Sequence, residues 1–152
     1  MLGSYNACLG LNIFHPFKTR RNSRILSGGY DGPEHLTLPC ATYGGMFFHK
    51  SLINRIGLPL RDYFIYCDDF EWSHRIIQKG GKIYLVKASR VKDIESNGSG
   101  SDNKEYYQAR NFIRFQKKLA KNKFIFYLNA FCYMMLKPTL QKAIWDGIKS
   151  EG

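Results

Sequence analysis

The sequence lacks several features that mark common classes of protein. Its four cysteines, Cys8, Cys40, Cys67 and Cys132, include no CxxC pair, so zinc-ligand spacing is absent and no disulfide framework is expected. We predict buried, unreactive thiols in a reducing compartment. The first residues show no basic-then-apolar signal pattern. The longest apolar run, at 124–136, is shorter than the roughly 20 residues that a membrane-spanning helix needs.

Acidic residues are scarce. The 152 residues hold 12 Asp and Glu against 23 Lys and Arg, which gives a formal net charge of +11. Such a balance favours anionic partners, among them nucleic acid, anionic lipid and diphosphate-bearing substrates. No nucleic-acid-binding motif accompanies the charge, so nucleic acid is not an expected partner.

The positive charge gathers beside the apolar run at 124–136. Lysines on both sides of such a run indicate a helical tail that lies on an anionic membrane surface. The alternative is that the run is the core helix of a missing partner. The lysines concerned are Lys117, Lys118, Lys121, Lys123 and Lys137.

The order of local patterns predicts a mixed α/β fold with a helical C-terminal tail. The expected elements are a short strand or turn within 36–48, a helix at 50–56, a strand at 63–66, a helix at 68–79 and a strand at 83–86. From 103 onward the pattern is helical, with one break at Pro138. We therefore expect one domain at 1–101 and the helical tail at 102–152.

The most informative stretch places three carboxylates, Asp68, Asp69 and Glu71, within four residues. A helix N-terminus favours acids through its dipole, so either aspartate can serve simply as a cap. The functional alternative is an acid–base site, in which a like-charged neighbour raises one carboxyl pKa and a cation such as Arg75 lowers another. Glu71 and Arg75 also have the spacing of an ion pair on one helical face. Trp72 is either a platform for a sugar or a core aromatic.

An ordered series of motifs resembles inverting family 2 glycosyltransferases of the rhamnosyl- and galactofuranosyltransferase type. The resemblance covers most of the chain, and its specificity lies in the combination, since each motif alone is weak. The matching segments are Ala41-Thr42-Tyr43-Gly44-Gly45-Met46-Phe47-Phe48, Arg55-Ile56-Gly57-Leu58-Pro59, Tyr63-Phe64-Ile65-Tyr66-Cys67-Asp68-Asp69-Phe70-Glu71-Trp72, Tyr106-Tyr107-Gln108-Ala109-Arg110-Asn111 and Ala143-Ile144-Trp145-Asp146-Gly147-Ile148.

The resemblance implies roles for particular residues. Asp69 would be the general base that deprotonates the acceptor hydroxyl, and Asp68 would orient the acceptor. Asp93 stands where these enzymes usually carry a metal-binding His, so it is the candidate ligand for Mg²⁺ or Mn²⁺. The other residues implied in substrate binding are Gly44, Gly45, Glu71, Trp72 and Arg75.

The sequence departs from the family pattern at its start. The family fold, called GT-A, begins with a nucleotide-binding βαβ half and an Asp-x-Asp metal motif, and neither is recognisable here. We therefore expect the C-terminal, acceptor-side part of a GT-A fold. The nucleotide-sugar donor and its divalent metal would then bind with a missing N-terminal half, which a separate chain could supply.

The expected function is sugar transfer, with inversion, to a glycan or lipid-linked acceptor in cell-surface polysaccharide synthesis. By resemblance the donor is UDP-galactofuranose or dTDP-rhamnose. The expected location is cytoplasmic, at the inner face of the cell membrane. The alternative is a non-catalytic remnant of a truncated or split transferase, either a partner subunit or inactive.

Overall fold

The computed structural model describes residues 3–4, 20–21, 32–90 and 103–150. These residues form a mixed α/β structure in which helix predominates, in agreement with the predicted class. The strands are β1 (Gly3–Ser4), β2 (Arg20–Arg21), β3 (His35–Leu38) and β4 (Ile83–Val86). The helices are α1 (Ser51–Ile56), α2 (Asp68–Gln78), α3 (Lys104–Leu119), α4 (Lys123–Leu136) and α5 (Gln141–Lys149), and single 3-10 turns occupy Arg61–Tyr63 and Pro138–Leu140.

The chain divides into two compact units. Of the described residues beyond 31, one unit contains 32–62 and 68–90, and we call it the acidic unit because it holds the Asp68–Asp69 pair. The other contains 63–67 and 103–150, and we call it the helical unit. Each unit has its own group of buried apolar side chains.

The acidic unit is built on an antiparallel pair of strands and one amphipathic helix. Strands β3 and β4 pair from His35 opposite Val86 to Leu38 opposite Ile83. Helix α2 buries Trp72 and Ile76 one turn apart, the spacing that places side chains on one helical face. These two side chains form the core of the unit together with Ile56 of α1.

Glycines end α2 as the sequence predicts. Gly80 adopts φ +77°, a left-handed conformation that costs little without a Cβ. The Gly81 N–H then donates to the Ile76 carbonyl at 2.9 Å. The predicted strand at 83–86 is confirmed, and so is the predicted helix at 68–79, which ends one residue earlier than expected.

The predicted strand at 63–66 is wrong. A 3-10 turn covers Arg61–Tyr63, and the backbone then passes through left-handed conformations at Phe64 (φ 61°), Tyr66 (φ 66°) and Cys67 (φ 61°). An extended strand cannot contain such residues, since its φ values lie near −120° to −140°. The aromatic and β-branched composition was therefore misleading.

The physical reason lies in α3. The side-chain amide of Asn111 donates to the carbonyl groups of Tyr63 at 2.7 Å and of Tyr66 at 2.9 Å. Asn111 is fully buried. Its amide satisfies carbonyl groups that a partner strand would otherwise satisfy, so the segment closes into a compact loop.

The helical unit packs three helices around Ile113, Ala120, Phe126, Ala130 and Ile144. The prediction of a single break, at Pro138, is confirmed there but incomplete, because the chain also breaks between Leu119 and Lys123. The side chain of Asn122 accepts a hydrogen bond from the Ile125 N–H at 3.1 Å. This is an N-cap, which starts α4 as a separate helix.

Among the described residues, no helix has both the length and the apolar character that crossing a membrane requires.

Candidate functional site

Asp69 lies in the first turn of α2 and is half-buried. Burial raises its pKa to about 6, the neighbouring Asp68 charge adds to the rise, and the Phe70 N–H, 2.9 Å from Oδ1, partly offsets it. At neutral pH the carboxylate is therefore mostly ionised but holds a proton more readily than an ordinary aspartate. A general base works best with a pKa of this kind, close to the operating pH. The Phe70 contact also satisfies one of the free N–H groups in the first turn of α2.

The segment after β3 lies along the start of α2. The Ser73 hydroxyl donates to the Ala41 carbonyl at 3.2 Å. The Ser73 hydroxyl oxygen also accepts a hydrogen bond from the Ala41 N–H, again at 3.2 Å. The Tyr43 hydroxyl donates to the Asp68 carbonyl at 3.3 Å. These bonds place the residues that follow Tyr43 next to the acidic pair.

Gly44 and Gly45 form an exposed turn directly after Tyr43. The Gly45 N–H donates to the Tyr43 carbonyl at 2.7 Å, and Gly45 has φ +114°, which favours glycine. The structure thus brings the predicted residues Gly44, Gly45, Asp68 and Asp69 into one region of the acidic unit. The two glycines are exposed there, and the two aspartates are partly exposed.

Two residues near Asp69 were not among the predicted site residues. Burial raises the Cys40 pKa to about 11, and the Asp69 charge contributes, so the thiol stays protonated and unreactive, as predicted for the cysteines. Partial burial raises the pKa of Tyr43, with the Asp68 and Asp69 charges as further causes. The phenol therefore acts as a hydrogen-bond donor. Only its place before the Gly44–Gly45 turn could have pointed to it.

Glu71 and Arg75 form the ion pair that their spacing predicts. The Arg75 Nε lies 2.9 Å from a Glu71 carboxylate oxygen, and the Glu71 side chain is fully buried. The same guanidinium donates to the carbonyl groups of Ile56 and, at 2.9 Å, of Leu58. The pair therefore joins α2 to the end of α1, and its polar atoms are engaged within the protein rather than open to a substrate.

Trp72 is a core residue with 1% exposure. Its indole N–H donates to the Gly57 carbonyl at 2.9 Å. The Phe48 ring packs edge-on against it at 4.8 Å between centroids, and the Tyr43 ring lies at 6.1 Å. Of the two alternatives for Trp72, the structure shows the core aromatic, and its faces are not available for sugar stacking.

The metal prediction rests on Asp93, which lies outside the described residues. Within the part of the chain that the structure describes, no three His, Cys, Asp or Glu side chains are grouped so that they could hold a metal ion. A metal site at Asp93 stays a prediction.

Comparison of the chain with models of protein families, with curated proteins and with solved structures found no match. The resemblance to glycosyltransferases therefore stays a prediction, which depends on the ordered motifs of the sequence.

Proposed function

We propose that this chain is the acceptor-side part of an inverting family 2 glycosyltransferase, with Asp69 as general base. The observation that carries the proposal is the half-buried Asp69 carboxylate, whose pKa burial raises to about 6, beside the exposed Gly44–Gly45 turn. A base of this strength is suited to deprotonating a hydroxyl as it attacks at neutral pH.

The proposed reaction is a single displacement. The acceptor hydroxyl oxygen forms a bond to the anomeric carbon of the donor sugar, while the bond from that carbon to the diphosphate oxygen breaks. Asp69 takes the hydroxyl proton, and the nucleoside diphosphate leaves with the bonding electron pair. Attack opposite the leaving group inverts the anomeric configuration. The base must lie within about 3 Å of the reacting hydroxyl.

The other residues of the site have supporting roles. The backbone of the Gly44–Gly45 turn and the Asp68 carboxylate are the candidates for binding acceptor hydroxyl groups. Tyr43 holds the turn against α2 through its bond to the Asp68 carbonyl. Glu71, Arg75 and Trp72 keep α2 fixed on the rest of the unit.

The donor and its divalent metal are assigned to a second, nucleotide-binding half. A divalent metal there would neutralise the charge that develops on the leaving diphosphate. The described residues of this chain do not group three ligands for such an ion, so no step is assigned to the metal here. The proposed donors are UDP-galactofuranose and dTDP-rhamnose, and the proposed acceptor is a glycan or lipid-linked sugar at the inner face of the cell membrane.

The second candidate function is a non-catalytic partner subunit of a split transferase. The observation that favours it is that Glu71 and Trp72, two residues expected to bind substrate, are buried and serve the packing of the acidic unit. Such a protein would keep the fold and lose the need for Asp69.

Reconstitution separates the two functions. The 152-residue chain is combined with the polypeptide encoded by the neighbouring upstream reading frame, and nucleotide release from UDP- or dTDP-sugars is measured with Mn²⁺ and a glycan acceptor. The chain alone is expected to release no nucleotide above background, because transfer requires donor and acceptor to be held together. Asp69→Asn is expected to lower turnover in the combined system by about 100- to 10,000-fold.

Two further variants make the assignment specific. Asp62→Asn removes an exposed acid from the same unit and is expected to leave turnover within about twofold. If Asp68→Asn abolishes turnover while Asp69→Asn retains it, the two aspartates have the opposite roles. Binding of the two polypeptides without any Asp69-dependent transfer would support the partner-subunit function instead.

A further inference from the structure

Helix α4 exposes an apolar stripe. Its Phe126, Asn129 and Ala130 side chains are fully buried in the helical unit. On the other side lie residues spaced by three or four, which places them on one helical face. They are Phe124 (75% exposed), Tyr127 (46%), Phe131 (56%) and Met135 (63%).

Helix α5 extends this stripe. Trp145 is 50% exposed. It lies with Phe131, Met134, Met135 and Lys142 around a shallow hollow of about 420 Å³. We call the surface formed by Phe124, Tyr127, Phe131, Met135 and Trp145 the α4–α5 face. Exposed apolar side chains that lie next to one another, unlike single ones, are typical of interaction sites.

The charged residues in this part of the chain are mostly basic. Residues 121–150 contain five lysines, no arginine and one acid, Asp146. The Asp146 carboxylate accepts the hydrogen bond of the Tyr106 hydroxyl. Lys142 lines the hollow, and the Lys149 ammonium lies 5.0 Å from the centre of the Trp145 ring. The face therefore complements a negatively charged surface.

The kind of cation distinguishes lipid from protein as the occupant. Protein–protein interfaces are enriched in Arg and depleted in Lys, whereas the cations that the described residues place at this face, Lys142 and Lys149, are both lysines. Lysines suit a bilayer surface, since their stems cover apolar area while the ammonium groups reach the headgroups. Trp and Tyr have the same preference, because each joins an apolar ring to a polar tip.

The structure also changes which lysines can take part. The Lys117 ammonium donates to the carbonyl groups of Ile148 at 2.7 Å and of Ser150 at 3.3 Å, so it caps the end of α5. Lys142 and Lys149, which the sequence pattern did not single out, lie beside Trp145 instead.

We propose that the α4–α5 face binds the surface of an anionic membrane, with Phe131, Met135 and Trp145 inserted among the headgroups and Lys142 and Lys149 contacting anionic lipid. Both helices would lie in the plane of the interface. This inference concerns the helical unit alone and does not depend on the proposed sugar transfer.

Vesicle sedimentation tests the proposal. The full chain is mixed with vesicles of phosphatidylcholine alone or of phosphatidylcholine with phosphatidylglycerol, whose anionic headgroups give the membrane a negative surface potential. Binding is expected only to the anionic vesicles and should weaken with added salt. Lys142→Gln and Lys149→Gln are each expected to weaken binding about 5-fold, the change that corresponds to about 1 kcal/mol per cation.

Matched controls come from the acidic unit. Lys50→Gln and Lys79→Gln remove exposed lysines, and Phe47→Ser removes a phenylalanine that is 93% exposed. These three variants are expected to bind as the unchanged chain does, whereas Phe131→Ser should weaken binding about 10-fold or more, as expected for loss of one buried aromatic side chain.

Tryptophan fluorescence locates the contact. Insertion of Trp145 should shift its emission to shorter wavelength on anionic vesicles, and Trp145→Phe should remove that shift, because Trp72 is already buried. The proposal is overturned if folded protein fails to bind anionic vesicles at low salt, or if the lysine and control variants bind equally. A dimer that Phe131→Ser dissociates and that blocks vesicle binding would also overturn it, because a second copy would then cover the face.

Discussion

The side-chain amide nitrogen of Asn111 lies 2.6 Å from the carbonyl oxygen of Ile65. The same nitrogen also reaches the carbonyl groups of Tyr63 and Tyr66. An uncharged, fully buried amide thus fixes a loop in which Phe64, Tyr66 and Cys67 adopt left-handed backbone conformations. Such conformations cost about 1–3 kcal/mol each and persist only where the surroundings hold them.

Asn111→Asp is expected to destabilise the helical unit by about 3 kcal/mol or more. The substitution keeps the shape of the side chain but points acceptors at three carbonyl oxygens and leaves buried groups unsatisfied. Denaturant unfolding of the full chain measures the effect. Asn54→Asp, at an exposed position in α1, is the control and should change the free energy of unfolding by no more than about 0.5 kcal/mol. Equal stability of the two variants would show that the Asn111 bonds do not hold the loop.

The contrast between α2 and this loop shows which parts of the fold could be predicted from the sequence. Helix α2, its glycine end and the Glu71–Arg75 pair depend on residues a few positions apart, so local spacing was sufficient. The loop conformation depends on hydrogen bonds between Asn111 and residues 45 to 48 positions earlier. No local pattern reports such a contact, and the aromatic composition at 63–66 favoured a strand instead.

The candidate site, too, could be predicted only in part from the sequence. The acids at the start of α2 were identifiable because a strand-like segment followed by clustered carboxylates is a recognisable pattern. The approach of Tyr43 to Asp68, 25 residues apart, and the burial that raises the Asp69 pKa both follow from tertiary packing. The burial of Trp72 was left open for the same reason, since periodicity gives the face of a helix but not what covers it.

Arg75→Ala is expected to destabilise the acidic unit by about 3–5 kcal/mol, since it removes the ion-pair partner of a fully buried carboxylate. It also removes the bonds to the Ile56 and Leu58 carbonyl groups. Arg75→Lys should destabilise the unit less than Arg75→Ala does, because it keeps the positive charge. Some loss of stability should remain, because lysine lacks the planar fork of donors.

Arg55→Ala is the matched control for this prediction. Arg55 is an exposed arginine of the same unit, and its guanidinium donates to the Lys79 carbonyl at 3.2 Å. Its loss is expected to cost about 1 kcal/mol or less. Thermal or urea unfolding that ranks Arg55→Ala as the more harmful change would contradict the structural role of the Glu71–Arg75 pair.

Asp69→Asn is expected to affect stability in a pH-dependent way. The folded-state pKa of Asp69 is raised to about 6 from an ordinary 3.8, so the folded chain binds this proton more tightly than the unfolded chain does. The stability that protonated Asp69 contributes to the fold is therefore fully present below pH 4 and is lost as the pH rises through about 6. Asn carries no charge and avoids this loss.

The measurement is urea unfolding of both proteins at pH 4 and pH 7.5. Relative to the unchanged chain, Asp69→Asn should gain about 1–3 kcal/mol between the two pH values, since each pKa unit corresponds to about 1.4 kcal/mol and residual solvent contact reduces the effect. Asp62→Asn controls for removal of one negative charge. The same stability difference at both pH values would show that Asp69 titrates normally, and the argument for a tuned base would lose its support.

Gly147→Ala tests the packing of α5 on α3. A Cβ at Gly147 would lie 2.5 Å from the Arg110 carbonyl oxygen and 2.9 Å from the Ile113 Cβ, so backbone atoms would have to move. Alanine is favoured over glycine within a helix by about 1 kcal/mol, but overpacking of this kind costs about 1–3 kcal/mol and occasionally more. Because the obstructing oxygen belongs to a helix backbone and cannot rotate away, we expect the free energy of unfolding to fall by about 1–2 kcal/mol.

Gly44→Ala, where nothing lies within 4 Å, is the matched control and should change the free energy of unfolding by at most about 0.5 kcal/mol. If Gly147→Ala instead raised the unfolding midpoint, the gain in helix propensity would exceed the cost of the contact, and α5 would lie farther from α3 than the structure places it.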